Sequence, residues 1–259
     1  MVHAPEHCGF ARPYIIEYLG NLAVVDPGSV GAAHDLAGFI TRRLGLSLQR
    51  IRCILITHFH IDHLGGVGRL LRHCSPETKV LFHPLAQEYL AGEREIPGMK
   101  NWLSGFWPAL FATGSHLRRP SHILFETLAG TPLPLLRRLT CLPYGKDRIG
   151  FFDLTGTCAG LPDFPDWQVL ETPGHTEDSC SLFSPLTGEF ICGDLIVNLR
   201  GALPRPNSFC QDEAILRETV RRLGEHITAV TIYPGHGRII RGQSNALREL
   251  ADNDGHVTT

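Results

Sequence analysis

Within Thr57-His58-Phe59-His60-Ile61-Asp62-His63, three imidazoles and a carboxylate follow directly on an apolar run. Neutral imidazole nitrogen suits Zn, Fe, Ni or Cu, and carboxylate oxygen suits the harder members of that series, so the mixture points to a divalent transition metal. With 14 histidines in 259 residues a single His carries little weight, but H-x-H-x-D-H in one register is a specific pattern. Three further motifs offer the same donor types: Thr172-Pro173-Gly174-His175, Cys192-Gly193-Asp194 and Tyr233-Pro234-Gly235-His236. Each ends an apolar run, so all four donor groups are expected on loops at strand ends, where a rigid scaffold carries function.

The elements that must position these donors can be read from periodicity. Ile51 to Ile56 has the length and apolar content of a buried strand, and Leu64-Gly65-Gly66 reads as a tight turn entering a helix through Val67 to Leu71. Upstream, Pro13 to Leu19 and Leu22 to Val25 flank Gly20-Asn21, the spacing of a hairpin with a primed turn, and Asp26-Pro27-Gly28 ends its second strand. Ala32, Leu36, Ile40 and Leu44 predict a helix over about residues 30–44, and Val80 to Phe82 a short strand. Strands resume at Trp167 to Leu170, Ser181 to Phe183 and Glu189 to Cys192; a helix over Asp212 to Leu223, a strand at Thr231 to Tyr233 and a helix around Ser244 to Ala251 follow. Between these halves, about residues 85–148 lack strand signals but carry Trp102, Phe106, Trp107 and Phe111 at spacings of three and four, which predicts a helical insertion broken near its prolines.

Composition narrows the class. Hydrophobic content of 43% with 19% charged residues is that of an ordinary globular chain, and 28.6 kDa suffices for one large α/β domain spanning residues 1–259 with an insertion. A formal charge of −2 lacks the basic excess of a nucleic-acid binder, and the arginine pairs at 42–43, 118–119, 137–138 and 221–222 are scattered, which reads as solvated faces. The absence of an 18-residue apolar span and of an apolar leader gives the expectation of a cytoplasmic protein with no membrane span. Eight cysteines without a C-x-x-C pair predict buried free thiols.

The order H-x-H-x-D-H, Pro-Gly-His, Gly-Asp, Pro-Gly-His, opened by Val24-Val25-Asp26-Pro27-Gly28, resembles the metallo-β-lactamase superfamily. The resemblance implies an αββα sandwich: two sheets face to face, helices outside, metals at one edge and the insertion lying over that edge as a lid. It implies two divalent ions, zinc first with iron or manganese as alternatives, His58, His60 and His175 holding one, Asp62, His63 and His236 the other, and Asp194 bridging. Asp26 then orients a ligand loop. Two such ions lower the pKa of a shared water from 15.7 to about 7 and polarise a carbonyl, so hydrolysis by a metal-bridging hydroxide is the expected reaction, with Asp62 also the catalytic proton carrier.

An Asp at 194 resembles the glyoxalase II, lactonase and ribonuclease Z branches more than the zinc β-lactamases that use Cys there. The chain departs from glyoxalase II in having only a short tail after His236, and from lactonases with a Tyr three residues beyond the bridging Asp in having Val197. The expected substrate is a small ester, thioester or lactone with an apolar group held by Trp102, Phe106, Trp107 and Phe111. Plain packing or a homodimer interface is the alternative use of those aromatics. Two rival functions are a ligand-binding signalling effector with incidental hydrolysis, and a mononuclear-iron enzyme resembling the persulfide dioxygenases, against which the complete second ligand set argues.

Overall fold

Each of the four apolar runs that precede a donor motif forms a strand in the computed structural model, which describes residues 1–99, 114, 116–133, 135–154, 159–199, 203–242 and 244–254. The chain divides into two compact units, Met1–Gly98 with Thr113–Asp153 and Met99–Ala112 with Leu154–Thr259.

The first unit is built on a six-stranded sheet in sequence order: β1 (Val2–His3), β2 (Tyr14–Tyr18), β3 (Asn21–Val25), β4 (Ile51–Leu55), β5 (Lys79–Phe82) and β6 (Ile149–Phe151). β1, β2 and β3 pair antiparallel; β3 through β6 run parallel. Parallel neighbours need crossovers. These are α1 (Val30–Gly38) between β3 and β4, and α2 (Ile61–Leu64) with α3 (Val67–Leu71) between β4 and β5, followed after β5 by α4 (Ala86–Ala91). Ser29 caps α1, its hydroxyl accepting from the Ala32 amide at 3.3 Å. The helix expected over 30–44 is realised in two forms, because α1 widens into a π-helical turn at Phe39–Arg43 closed by Leu44 N–H to the Phe39 carbonyl at 3.1 Å. Leu22, Val24, Leu36, Ile40, Ile54 and Val80 form a fully buried core.

The β2–β3 turn is Leu19-Gly20, one residue before the expected Gly20-Asn21: Tyr18 pairs with Asn21, and Leu19 and Gly20 have φ of 48° and 77°. A primed turn needs positive φ at both central positions, and Leu19, 84% exposed, takes it without steric conflict from the core.

Among the described residues of the expected helical insertion, helix comprises α4, the helical residue Gly114 and two 3₁₀ turns, Pro120–Ile123 and Lys146–Arg148. The helical periodicity from Ile123 to Leu136 is not realised; prolines at 120 and 132 remove amide donors from any continuous ladder. Trp102, Phe106, Trp107 and Phe111 lie outside the described residues. The segment from Leu124 to Gly130 is instead stitched to the first unit: Val30 N–H donates to Leu124 O (2.9 Å), Glu126 N–H to Gly65 O (2.9 Å), and Ile61 N–H to Gly130 O (3.0 Å).

The second unit holds a six-stranded sheet in the order β14-β13-β10-β9-β8-β7, made of β7 (Ala159–Leu161), β8 (Phe164–Glu171), β9 (Cys180–Ser184), β10 (Glu189–Gly193), β13 (Thr231–Pro234) and β14 (Ile240–Arg241). A two-stranded ribbon, β11 (Ile196–Val197) with β12 (Arg205–Pro206), lies between β10 and β13 in sequence. All sheet pairs are antiparallel except β10–β13, which is parallel and is bridged by α5 (Glu213–His226). Asp212 caps α5 through the amides of Ala214 and Ile215 at 3.0 and 3.1 Å, and Leu216, Val220 and Leu223 form its buried stripe. α6 (Ala246–Asp254) follows, tied to the end of α5 by Asn245 Nδ2 on the Ile227 carbonyl at 2.8 Å.

Seven described cysteines are free thiols, six of them buried and Cys141 exposed. No helix among the described residues is long and apolar enough to cross a membrane.

Gly130 shows what the stitching demands. It has φ of 80°, and a Cβ there would stand 2.8 Å from both the Ile61 amide nitrogen and the Phe59 carbonyl oxygen, whereas Gly92, at φ 75°, has open space. Gly92→Ala is expected to cost about 1–2 kcal/mol from the left-handed backbone alone. Gly130→Ala is expected to cost at least about 1 kcal/mol more. Urea denaturation measures both, and equal costs would show that the close approach to the ligand loop is not tight.

Candidate metal centre

In the first unit the donor loop leaves the C-terminal end of β4. Phe59 turns inward and packs its ring against Phe82 and Tyr89, each with a centroid separation of 5.6 Å, which turns the flanking His58 and His60 away from that core. His60 precedes α2, so Asp62 and His63 lie in its first turn. His58, His60 and His63 are nearly or wholly buried, while the Asp62 side chain is one quarter exposed. Their reactive atoms converge. His58 Nε2 lies 3.0 Å from His60 Nδ1, the His58 and His63 rings are 4.2 Å apart, and His63 Nε2 lies 3.8 Å from Asp62 Oδ2. Tetrahedral zinc with Zn–N bonds of 2.0–2.1 Å holds its nitrogens about 3.3 Å from one another, so the His58–His60 separation suits two ligands of one ion.

A buried carboxylate stands behind them. Asp26, 2% exposed and with φ of 48°, accepts from Thr57 N–H (2.9 Å), Thr57 Oγ1–H (2.7 Å) and His63 Nδ1 (2.8 Å). Because the Thr57 hydroxyl donates to Asp26, it can only accept from His58 Nδ1, 3.1 Å away. The two contacts fix both tautomers: His58 and His63 carry hydrogen on Nδ1 and direct Nε2 lone pairs outward, as a ligating imidazole requires. Thr57 was not singled out from sequence; its position directly before the first His, beyond the strand end that pairs with Asp26, was the available signal.

The second unit contributes the other three predicted residues. His175 is buried, and its Nδ1 donates to the Phe209 carbonyl at 2.8 Å, which again leaves Nε2 as the lone-pair nitrogen. Asp194 Oδ2 lies 3.5 Å from His175 Nε2 and 3.1 Å from His236 Nε2, so one carboxylate oxygen faces two imidazoles. Gly174 has φ of 131° and sits on the backbone of Leu216 with no room for a Cβ, which explains why glycine precedes His175. Phe209 could not be found from sequence, because any residue supplies a carbonyl. His83, at the end of β5, accepts the Leu85 amide on Nδ1 at 3.0 Å.

The donor chemistry of each unit therefore fits divalent transition metals: neutral imidazoles with fixed tautomers beside carboxylate oxygen. Asp26→Asn keeps the side-chain shape and tolerates positive φ but loses the charge and one acceptor. It is expected to weaken metal affinity about 10–100-fold, read by competition with a chromogenic chelator; unchanged affinity would leave Asp26 as a turn residue only.

The family model of the metallo-beta-lactamase superfamily matches residues 8–257. The chain is 23% identical over 179 residues to the probable metallo-hydrolase YflN of Bacillus subtilis (strain 168), covering 69% of this chain and 57% of the relative. It is 25% identical over 263 residues to the probable metallo-hydrolase YqjP of the same organism, covering 96% and 75%. It thus spans little more than half the length of YflN. Among solved structures, TTHA1623 in a di-iron-bound form superposes with a TM-score of 0.54 at 22% identity, covering 92% of this chain and 93% of that one, a likeness of fold. With the model matched over nearly its whole length and mixed α/β sheets of that fold, the chain belongs to the metallo-β-lactamase superfamily.

Proposed function

We propose that the chain is a metal-dependent hydrolase in which His58, His60 and His175 hold one divalent ion, Asp62, His63 and His236 a second, and Asp194 lies between the two. The observation that carries this reading is the fixed tautomer of three of the rings: Asp26, Thr57 and the Phe209 carbonyl each engage an Nδ1, leaving Nε2 to ligate. When bound, the ions supply an acidified water and a polarised carbonyl. Zinc suits the donors best, and iron or manganese suit them too; the di-iron form of TTHA1623 supports iron as a candidate.

The protein's own groups have distinct tasks. Asp62, the one partly exposed donor side chain of its loop, accepts a hydrogen bond from the attacking water and carries its proton away. The buried imidazoles exclude bulk water and keep their geometry through Asp26, so no reorganisation is needed as charge develops on the substrate oxygen. Asp194 in place of Cys supports the glyoxalase II and lactonase branches, hence a small ester, thioester or lactone. The aromatic residues Trp102, Phe106, Trp107 and Phe111 support an apolar acyl or alkyl group on that substrate, with a second copy of the chain as their alternative partner.

Loaded protein is expected to contain about two divalent ions per chain by elemental analysis, and Asp194→Ala to lose at least one. A stoichiometry near one, iron alone, would favour a mononuclear oxygen-using enzyme. Chelation should abolish hydrolysis, and Asp62→Asn should lower kcat by about 10²–10⁴-fold with little change in KM. Activity surviving metal removal would overturn the reaction class. Across an acyl series kcat/KM should rise by up to about 0.8 kcal/mol per CH₂, and Phe106→Ala or Trp107→Ala should flatten that slope; an unaltered slope with altered oligomeric state would assign the aromatics to an interface.

A further inference from the structure

Two of the four arginine pairs that are scattered in sequence meet in space. A pocket of about 500 Å³ opens on the first unit, and Arg42, Arg43, Arg118 and Arg119 all line it. Arg42 and Arg43 are the last residues of the π-helical turn that ends α1, a rare widening of the helix that is frequent at functional sites. Arg118 and Arg119 come from the strand-like approach to the 3₁₀ turn Pro120–Ile123, whose buried His122 forms the floor with Cys8. None of these residues is a proposed metal ligand.

Charge in the pocket is unbalanced. Arg118 pairs with Glu6 at 2.6 Å and Arg119 pairs with Asp35, while Arg42 and Arg43 form no ion pair among the described residues. Two guanidinium groups are thus in excess in a concave site, where like charge focuses the field on an incoming anion. Guanidinium forks match phosphate oxygens in pairs. A phosphomonoester carries about −1.5 to −2 charges at pH 7 and so complements the excess. The volume falls within the roughly 300–1,000 Å³ of small-molecule sites, and Phe39 and Pro5 supply an apolar wall for the organic part.

The same floor brings donor atoms of Cys8, Asp35 and His122 within 4.8 Å of one another, the arrangement of a candidate cation site. The hydrogen bonds oppose that use. His122 Nδ1 accepts the Arg118 amide at 3.0 Å, so Nε2 keeps the ring hydrogen and donates to Asp35 at 3.0 Å, and the ring has no lone pair to give. Burial pushes the Cys8 thiol up, which holds it protonated. His122 therefore anchors the turn that presents Arg118 and Arg119.

We propose that this pocket, bounded by Arg42, Arg43, Arg118 and Arg119, binds a small phosphomonoester of nucleoside-monophosphate size at a site separate from the metal centre. The test is calorimetric titration of the full, metal-loaded protein with adenosine 5′-monophosphate, with adenosine as the uncharged control. Adenosine is expected to bind at least about tenfold more weakly, and the Arg42→Gln/Arg43→Gln double variant to weaken the monophosphate by at least about tenfold. Asp194→Ala should leave that affinity unchanged. No binding of the monophosphate at millimolar concentration, or binding kept in the arginine variant and lost in Asp194→Ala, would overturn the proposal. So would uptake of a further zinc ion that Cys8→Ala abolishes. Both arginines are exposed, so the double variant should keep the wild-type melting temperature.

Discussion

The carboxylate of Asp26 is buried at the end of β3 and satisfied by three donors, the Thr57 amide, the Thr57 hydroxyl and the His63 ring. A buried carboxylate with fewer partners would be costly, and one with these partners is immobile. That immobility propagates. The backbone at residue 26 is held in the left-handed region, a local strain that surrounding contacts must over-determine, and the Asp26 amide donates to Leu55 O at 3.0 Å, which fixes where β4 ends. From that end the chain must turn through Thr57, insert Phe59 into the core and start α2 at Ile61. His58 and His63 take their ring orientation from this contact set, and the Gly130 carbonyl holds the far side of the loop.

Legibility from sequence followed the strength of the local signal. The strands ahead of the donor motifs are runs of Ile, Val and Leu bounded by Gly, Pro or polar residues, and β4, β8, β10 and β13 form where that pattern requires. α5 was equally plain, since a capping Asp212 precedes a stripe at Leu216, Val220 and Leu223. The segment from Ile123 to Leu136 misled for a physical reason: its apolar residues recur at three and four, but Leu124, Phe125 and Gly130 serve tertiary contacts to α1, Gly65 and Ile61 rather than one helix face. Short edges such as β11, β12 and β14 are two residues long, below any period that a sequence can display. In the metal centre the donor residues themselves were legible because their types are rare and their spacing fixed. Their supports were not, since Thr57 and the Phe209 carbonyl act through common groups brought close only by the fold. The convergence of Arg42–Arg43 with Arg118–Arg119 was likewise invisible, because the pairs are 75 residues apart in the chain.

Why the donors occupy strand ends follows from sheet topology, in each unit by itself. In the first, β3, β4 and β5 are parallel neighbours, so their C-terminal ends share one edge, and Asp26, His58 and His83 come at or just beyond those ends. In the second, β10 and β13 are parallel, while β8 and β10 both run antiparallel to β9 and hence parallel to each other. The loops carrying His175, Asp194 and His236 must then leave the same edge of that sheet. A parallel arrangement thereby converts widely separated sequence positions into one cluster without long reaching side chains, and ligand sites at the carboxyl ends of strands are its general consequence. Short donors such as Asp and His can serve only because the backbone has already made the approach, as Gly235 N–H on the Gly193 carbonyl at 2.7 Å brings the turn before His236 against the turn that bears Asp194.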